Sequence, residues 1–147
     1  QMLLAAHMAG VAMASTGLGA CHAIGHALGG RFDVAHGVAL TMVLPSVLSL
    51  SLPVCSGRLA DTAFALGAGD TAASADGNAQ AAVHAIASLA ASVGMNHSLS
   101  QFGITERDFE LIATDALADE VLANAPVQPT RGDIRSMLAA ALGPVRA

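Results

Sequence analysis

The chain has 147 residues, enough for one domain with a single core and too few for two ordinary ones. Its formal charge of −5, with six basic residues, excludes a nucleic-acid-binding stripe, because nothing is left to neutralise phosphates. Hydrophobic residues make up 54% and charged residues 12%, about half the charge of an ordinary soluble domain, so part of the surface is expected to be covered by another domain or subunit.

Two uncharged runs, residues 1–30 and 34–57, reach the length of about 20 residues that a membrane span needs. Both are broken by His, Gly, Ser, Thr or Pro, and much of their apolar content is alanine. Neither is flanked by a Lys/Arg cluster, and the absence of Trp and Tyr leaves no interfacial belt. The expectation is a cytoplasmic protein without membrane insertion. Cys21 and Cys55 show neither a disulfide framework nor a CxxC spacing and are expected to be reduced and buried. No charged n-region precedes a cleavage site. The chain opens at Gln1 already in a helical pattern, as a chain trimmed from something longer would.

Helical signals dominate. Residues 2–15 are rich in Ala, Met and Leu, with Gly17 and Gly19 as a break, and Met2, Met8 and Met13 read as core filler. A second helix carries His22 and His26 and is expected to end near Gly29. A third starts around His36 and runs to Pro45, which should kink or end it, and Pro53 closes the apolar segment that follows. A short helix over 57–66, with Leu59, Ala63 and Leu66 on one face, ends at Gly67. Residues 67–78 read as an exposed loop. Residues 79–93 resume a helix with Val83, Ile86, Leu89 and Ala90 inward and Gly94 as its stop. Thr105-x-x-Asp108 and Thr130-x-x-Asp133 are capping boxes that open two more helices, one through Phe109, Ile112, Ala113 and Leu117, the other through Ile134, Leu138 and Leu142 to Gly143-Pro144. There is no repeat at a fixed period. The fold expected is an all-α bundle of about six or seven helices in a single domain, residues 1–147.

Chemistry concentrates in one stretch. Three of the six histidines, His22, His26 and His36, stand in an H-x(3)-H-x(9)-H arrangement among Gly and Ala. Helical spacing places His22 and His26 on one face, and a turn at Gly29-Gly30 can return His36 toward them. Imidazole is the commonest metal ligand, but an i,i+4 pair is as readily two hydrogen-bonded core histidines, and spacing alone does not say which two of the three would bind a metal. The other candidates have bland readings. His84 is a surface or interhelical polar residue, and His97 solvates or caps a turn. Asp108, Glu110, Asp115, Asp119 and Glu120 form a solvated helix face. Gly67-Ala68-Gly69 follows a helix and not a strand, the wrong context for a phosphate cradle. No Gly-x-Ser-x-Gly nucleophile motif occurs.

The run GLGACHAIGHALGGRFDVAHGVALTMVLPSVL, residues 17–48, resembles the signature of the iron-containing (group III) alcohol dehydrogenase superfamily, which includes maleylacetate reductases. Both histidine spacings match, as do Leu-Gly-Gly after the second histidine, the His-Gly pair and the downstream Leu-Pro. Residues 99–105 resemble the family's "sL-x-x-lGi" segment. Residues 124–134 resemble its "NPRPVT-x-x-DI" segment, although residues 124–130 depart from it in detail. The resemblance covers nearly the whole chain but only the C-terminal part of such enzymes.

The resemblance implies a dehydroquinate synthase-like C-terminal helical domain. It makes the first and third motif histidines, matching His22 and His36, ligands of Fe²⁺ (or Zn²⁺). It places the middle one, matching His26, beside nicotinamide and substrate as a catalytic proton-transfer residue. The family's other two ligands form a D-x(3)-H pair on an upstream helix. No such pair precedes His22: the one upstream histidine is His7, four residues after Leu3. The NAD(P)-binding N-terminal domain of the family is likewise expected to be absent. The implied function is thus the metal-binding part of an NAD(P)-dependent alcohol, aldehyde or maleylacetate-type oxidoreductase, inactive by itself. Its implied partner is the missing nucleotide-binding domain or a second copy in a homo-oligomer. The alternative is a stand-alone, self-associating helical protein with a vestigial histidine site and no catalysis.

Overall fold

The computed structural model describes residues 1–143. Six α-helices follow one another: α1 (Met2–Thr16), α2 (Ala20–Phe32), α3 (His36–Ala65), α4 (Ala75–Ser92), α5 (Phe109–Ala118) and α6 (Arg131–Leu142). Short 3-10 turns lie at Leu99–Phe102, Glu106–Asp108 and Glu120–Asn124, and no strand occurs among the described residues. This is the all-α fold expected.

The histidine helix α2 is the centre of the packing. It lies against α3, α5 and the 120–124 turn, while α6 closes on α3 and α5. Buried Ala20, Ala23, Ala27 and Leu28, with Ile24, form its inward stripe at helical spacing. Ile24 and Leu28 join Val43, Leu99, Ile104, Ile112, Ile134 and Leu138 as the largest wholly buried side chains. Each such side chain contributes about 1.5–3 kcal/mol on leaving water. Alanines and Gly25 let α3 approach: a β-carbon at Gly25 would stand 2.6 Å from Leu40 Cδ2. A smaller cluster of Leu59, Ala63, Ala79 and Ala82 joins α3 to α4 as a helical hairpin.

Both capping boxes form. Thr105 Oγ1 and N–H meet the Asp108 carboxylate, and Thr130 does the same with Asp133 at 2.6 and 2.8 Å. Gly94, with φ 78, stops α4 as expected: the Met95 and Gly94 N–H groups bond back to Ala90 and Ala91. Gly143 follows α6 at φ 66, and Pro144 lies outside the described residues.

Four expectations are corrected. First, α2 does not stop at Gly29. It runs through Gly29 and Gly30 to Phe32, because Asp33 supplies the left-handed cap (φ 53), its N–H bonding Gly29 O at 3.1 Å. Second, Pro45 and Pro53 neither end nor divide α3, which is one helix of 30 residues. Each proline removes a backbone donor at a local cost of about 3 kcal/mol. Burial of Ala39, Met42 and Val43 before the first proline, and of Leu59, Ala60 and Ala63 after the second, holds the helix across both. Third, α4 starts at Ala75. Ser74 Oγ accepts the Gly77 N–H at 3.1 Å, and the buried Asn78 side chain bonds both N–H and C=O of Asp70. Its inward set is Asn78, Ala79, Ala82 and Val83, and Leu89 is exposed.

The fourth correction concerns α1, which has no buried residue. Met2, Leu3, Leu4, Met8, Val11 and Met13 are all exposed, so these methionines do not fill the core. The cause is a 106° bend between α1 and α2, made at Gly17 (φ 77), which carries α1 away from the bundle. Among the described residues α3 is long and apolar enough to cross a membrane, and α1 and α2 pass the same test of length and composition only taken together as a bent pair. In the fold it is flanked by α2, α4 and α6.

Candidate metal centre

The backbone explains why three histidines meet. His22 and His26 stand one turn apart on α2. After the cap at Asp33, buried Val34 pins the chain and Ala35 serves as N-cap, so His36 is the first residue of α3. The turn is three residues long. The ring centroids lie 5.4 Å apart for His22 and His36, 5.7 Å for His26 and His36, and 6.0 Å for His22 and His26. All three expected site residues are therefore neighbours.

They are not equivalent. His26 Nδ1 lies 2.7 Å from Asp119 Oδ2, whereas the rings of His22 and His36 have no hydrogen bond to any described residue. The His22 pKa is held below the ordinary imidazole value, first by burial and then by the nearby His36 and His26. That favours the neutral ring, whose lone pair a metal needs.

Two imidazoles on one cation at about 2.1 Å need ring centroids roughly 5 Å apart at a tetrahedral angle. His22 and His36 come nearest to this, and both pairs that include His26 are wider. Among the described residues no three His, Cys, Asp or Glu side chains converge on one cation position. Any cation held here would draw at most two of these ligands from the described residues. His7 lies exposed on α1 and His84 exposed on α4, and neither joins the trio. His97 bonds Gln101 at 3.1 Å and packs edge-on against Phe102, a turn role as expected.

The acidic run is not simply a solvated face. Asp115 receives both Nε (2.6 Å) and Nη2 (2.9 Å) of Arg31, tying the last turn of α2 to α5. Hydrogen bonding to Arg31 draws the Asp115 pKa below the usual carboxylate range, against the opposing effect of desolvation. Glu110 pairs with Arg131 at 2.7 Å. Asp119 caps the following turn, its Oδ1 accepting the Val121 N–H at 3.0 Å, and its Oδ2 faces His26. Burial pushes the Asp119 pKa up. The bonds from Val121 and His26 outweigh it and leave the group below the usual range. A shallow hollow of about 350 Å³ between α2 and α5 is bordered by His26, Gly30, Arg31, Asp115 and Asp119.

Sequence reasoning missed Asp119 and the Arg31–Asp115 pair. Their partners are 93 and 84 positions away, and no local spacing carries that signal. Cys21 and Cys55 are free and half-buried. Burial pushes the Cys21 thiol up to about 11.

Comparison with known proteins defines the class. Residues 1–142 match the family model described as Fe-containing alcohol dehydrogenase family, C-terminal. A 1,3-propanediol dehydrogenase of Citrobacter freundii is 37% identical over 132 residues, covering 90% of this chain and 33% of the relative. Alcohol dehydrogenase 4 of Schizosaccharomyces pombe is 31% identical over 143 residues, covering 96% of this chain and 32% of the relative. The solved alcohol dehydrogenase from Oenococcus oeni superposes with a TM-score of 0.86 at 32% identity, over 90% of this chain and 35% of that one.

The chain belongs to the iron-containing alcohol dehydrogenase family, in its C-terminal helical part. It spans about a third of the length of these relatives.

Proposed function

We propose that this chain is the helical metal-binding part of an NAD(P)-dependent alcohol oxidoreductase, with His22 and His36 as metal ligands and His26 as the proton-transfer group. The observation that carries the reading is the 5.4 Å pairing of His22 and His36, both free of hydrogen bonds to described residues while His26 is engaged by Asp119. When bound, Fe²⁺ (or Zn²⁺) supplies Lewis-acid polarisation of a substrate oxygen, and nicotinamide supplies or accepts hydride.

The chain's own residues do the rest. His22 and His36 offer two imidazole nitrogens on the rim of α2 and α3. His26 keeps a second ring nitrogen, Nε2, for moving a proton to or from a substrate hydroxyl. The names of the relatives favour an alcohol–aldehyde pair over a maleylacetate-type substrate. In this reading two further ligands and the nucleotide site belong to a separate region like that of the longer relatives, in a cytoplasmic homo-oligomer. The uncovered apolar face of α1 and the low surface charge support a partner there.

The test is anaerobic Fe²⁺ and Zn²⁺ titration of the chain beside a His22→Ala/His36→Ala double variant. Weak saturable binding, lost in the double variant, is expected. Absence of binding, or binding the double variant retains, refutes the reading. A chain that binds no metal yet self-associates through α1 would instead be the non-catalytic helical protein.

A further inference from the structure

We infer that Asp119 is a positioning residue that fixes the tautomer and orientation of His26. The inference rests on the proposed role of His26 as the proton-transfer group.

Asp119 sits where α5 gives way to the 120–124 turn, with both carboxylate oxygens engaged. Oδ1 accepts the backbone N–H of Val121 at 3.0 Å, and Oδ2 stands 2.7 Å from His26 Nδ1. An ionised carboxylate only accepts hydrogen bonds. The proton between the two side chains therefore belongs to His26 Nδ1, which leaves Nε2 of the neutral ring as a bare acceptor. The turn bond matters as much as the imidazole bond. By tethering Oδ1 to the Val121 N–H two residues on, Asp119 presents Oδ2 in one direction and so aims the His26 ring. Arg31 reinforces the arrangement, because its two bonds to Asp115 hold α2 against α5 one turn from each partner.

The consequence is a division of labour. His26 cannot face a cation through Nδ1, and its Nε2 is poised in the one protonation pattern from which it can accept a proton. A carboxylate behind an imidazole has this orienting effect wherever the two are joined this way. Asp119→Asn is the sharp perturbation. The amide has a single acceptor oxygen. If that oxygen keeps the Val121 N–H, the –NH₂ group faces Nδ1 and demands the opposite tautomer.

The experiment is long-range ¹H–¹⁵N correlation on the ¹⁵N-histidine-labelled chain, at a pH above the imidazole range, with His97 as an internal control. The unsubstituted chain should show His26 protonated at Nδ1. Asp119→Asn should show it at Nε2, and Asp119→Ala should show the mixed pattern of a free imidazole, with His97 unmoved. A residue that only caps a turn would shift none of these patterns. Protonation at Nε2 in the unsubstituted chain overturns the inference whether or not the variants fold, and so does an unaltered Nδ1–H pattern in the folded variants. Zn²⁺ added to the same sample keeps the two readings apart. Failure to perturb His22 and His36 would count against the metal centre and leave the His26 tautomer result standing.

Discussion

Ile24 lies between His22 and His26 in sequence but on the opposite face of α2, with no exposed surface. Ile24→Ala removes three carbons from a closed core. At about 0.8 kcal/mol per buried methylene the transfer loss is about 2.4 kcal/mol. If roughly 40 Å³ stays open, the cavity adds about 1 kcal/mol. The expected loss is thus about 3.5 kcal/mol, a large share of the ~5–15 kcal/mol that holds a typical domain. Leu3→Ala is the control: Leu3 is 88% exposed on α1, and its truncation should cost under about 0.5 kcal/mol. Urea denaturation followed by circular dichroism measures both, with an unchanged slope showing that the unfolded reference is shared. A loss below about 1 kcal/mol for Ile24→Ala would refute the central place of α2. An equal loss for Leu3→Ala would mean that α1 is covered.

Two further predictions concern the helix ends and charges. Thr130→Ala removes the hydroxyl that caps α6 and should lower stability by about 1 kcal/mol in the same assay; no change would mean the box contributes nothing. Asp115 and Asp133 both titrate below the usual range in the folded chain, Asp115 through Arg31 and Asp133 through Thr130. Groups depressed in this way contribute fully above the unfolded aspartate value of about 3.9, and the contribution fades as pH falls through their folded values. The urea midpoint should therefore drop on acidification through that window, and a midpoint that stays flat or rises would contradict the assignment.

What could be read from the sequence was local. Capping boxes at Thr105 and Thr130 and the stop at Gly94 are written in adjacent residues, and the structure has them. So is the meeting of His22, His26 and His36, since a helical turn and a three-residue return suffice to produce it. The misreadings share one cause. Pro45 and Pro53 are local breakers overridden by burial on both sides, which no window along α3 displays. Gly29-Gly30 looked like a stop, yet Asp33 took the left-handed position. The methionines of α1 have core composition but lie beyond a bend that composition does not encode. Asp119 looked like one more exposed carboxylate, because its partner is 93 residues away.

The central claim is that His22 and His36, and not His26, form the metal half-site. Zn²⁺ titration of the single variants His22→Ala, His26→Ala and His36→Ala, each checked for fold, tests it most directly. With only two ligands the unsubstituted chain should bind more weakly than a closed four-ligand site. Binding should be lost on removing His22 or His36 and retained on removing His26. Loss of binding in His26→Ala equal to that in the other two would contradict the account, as would retention in all three.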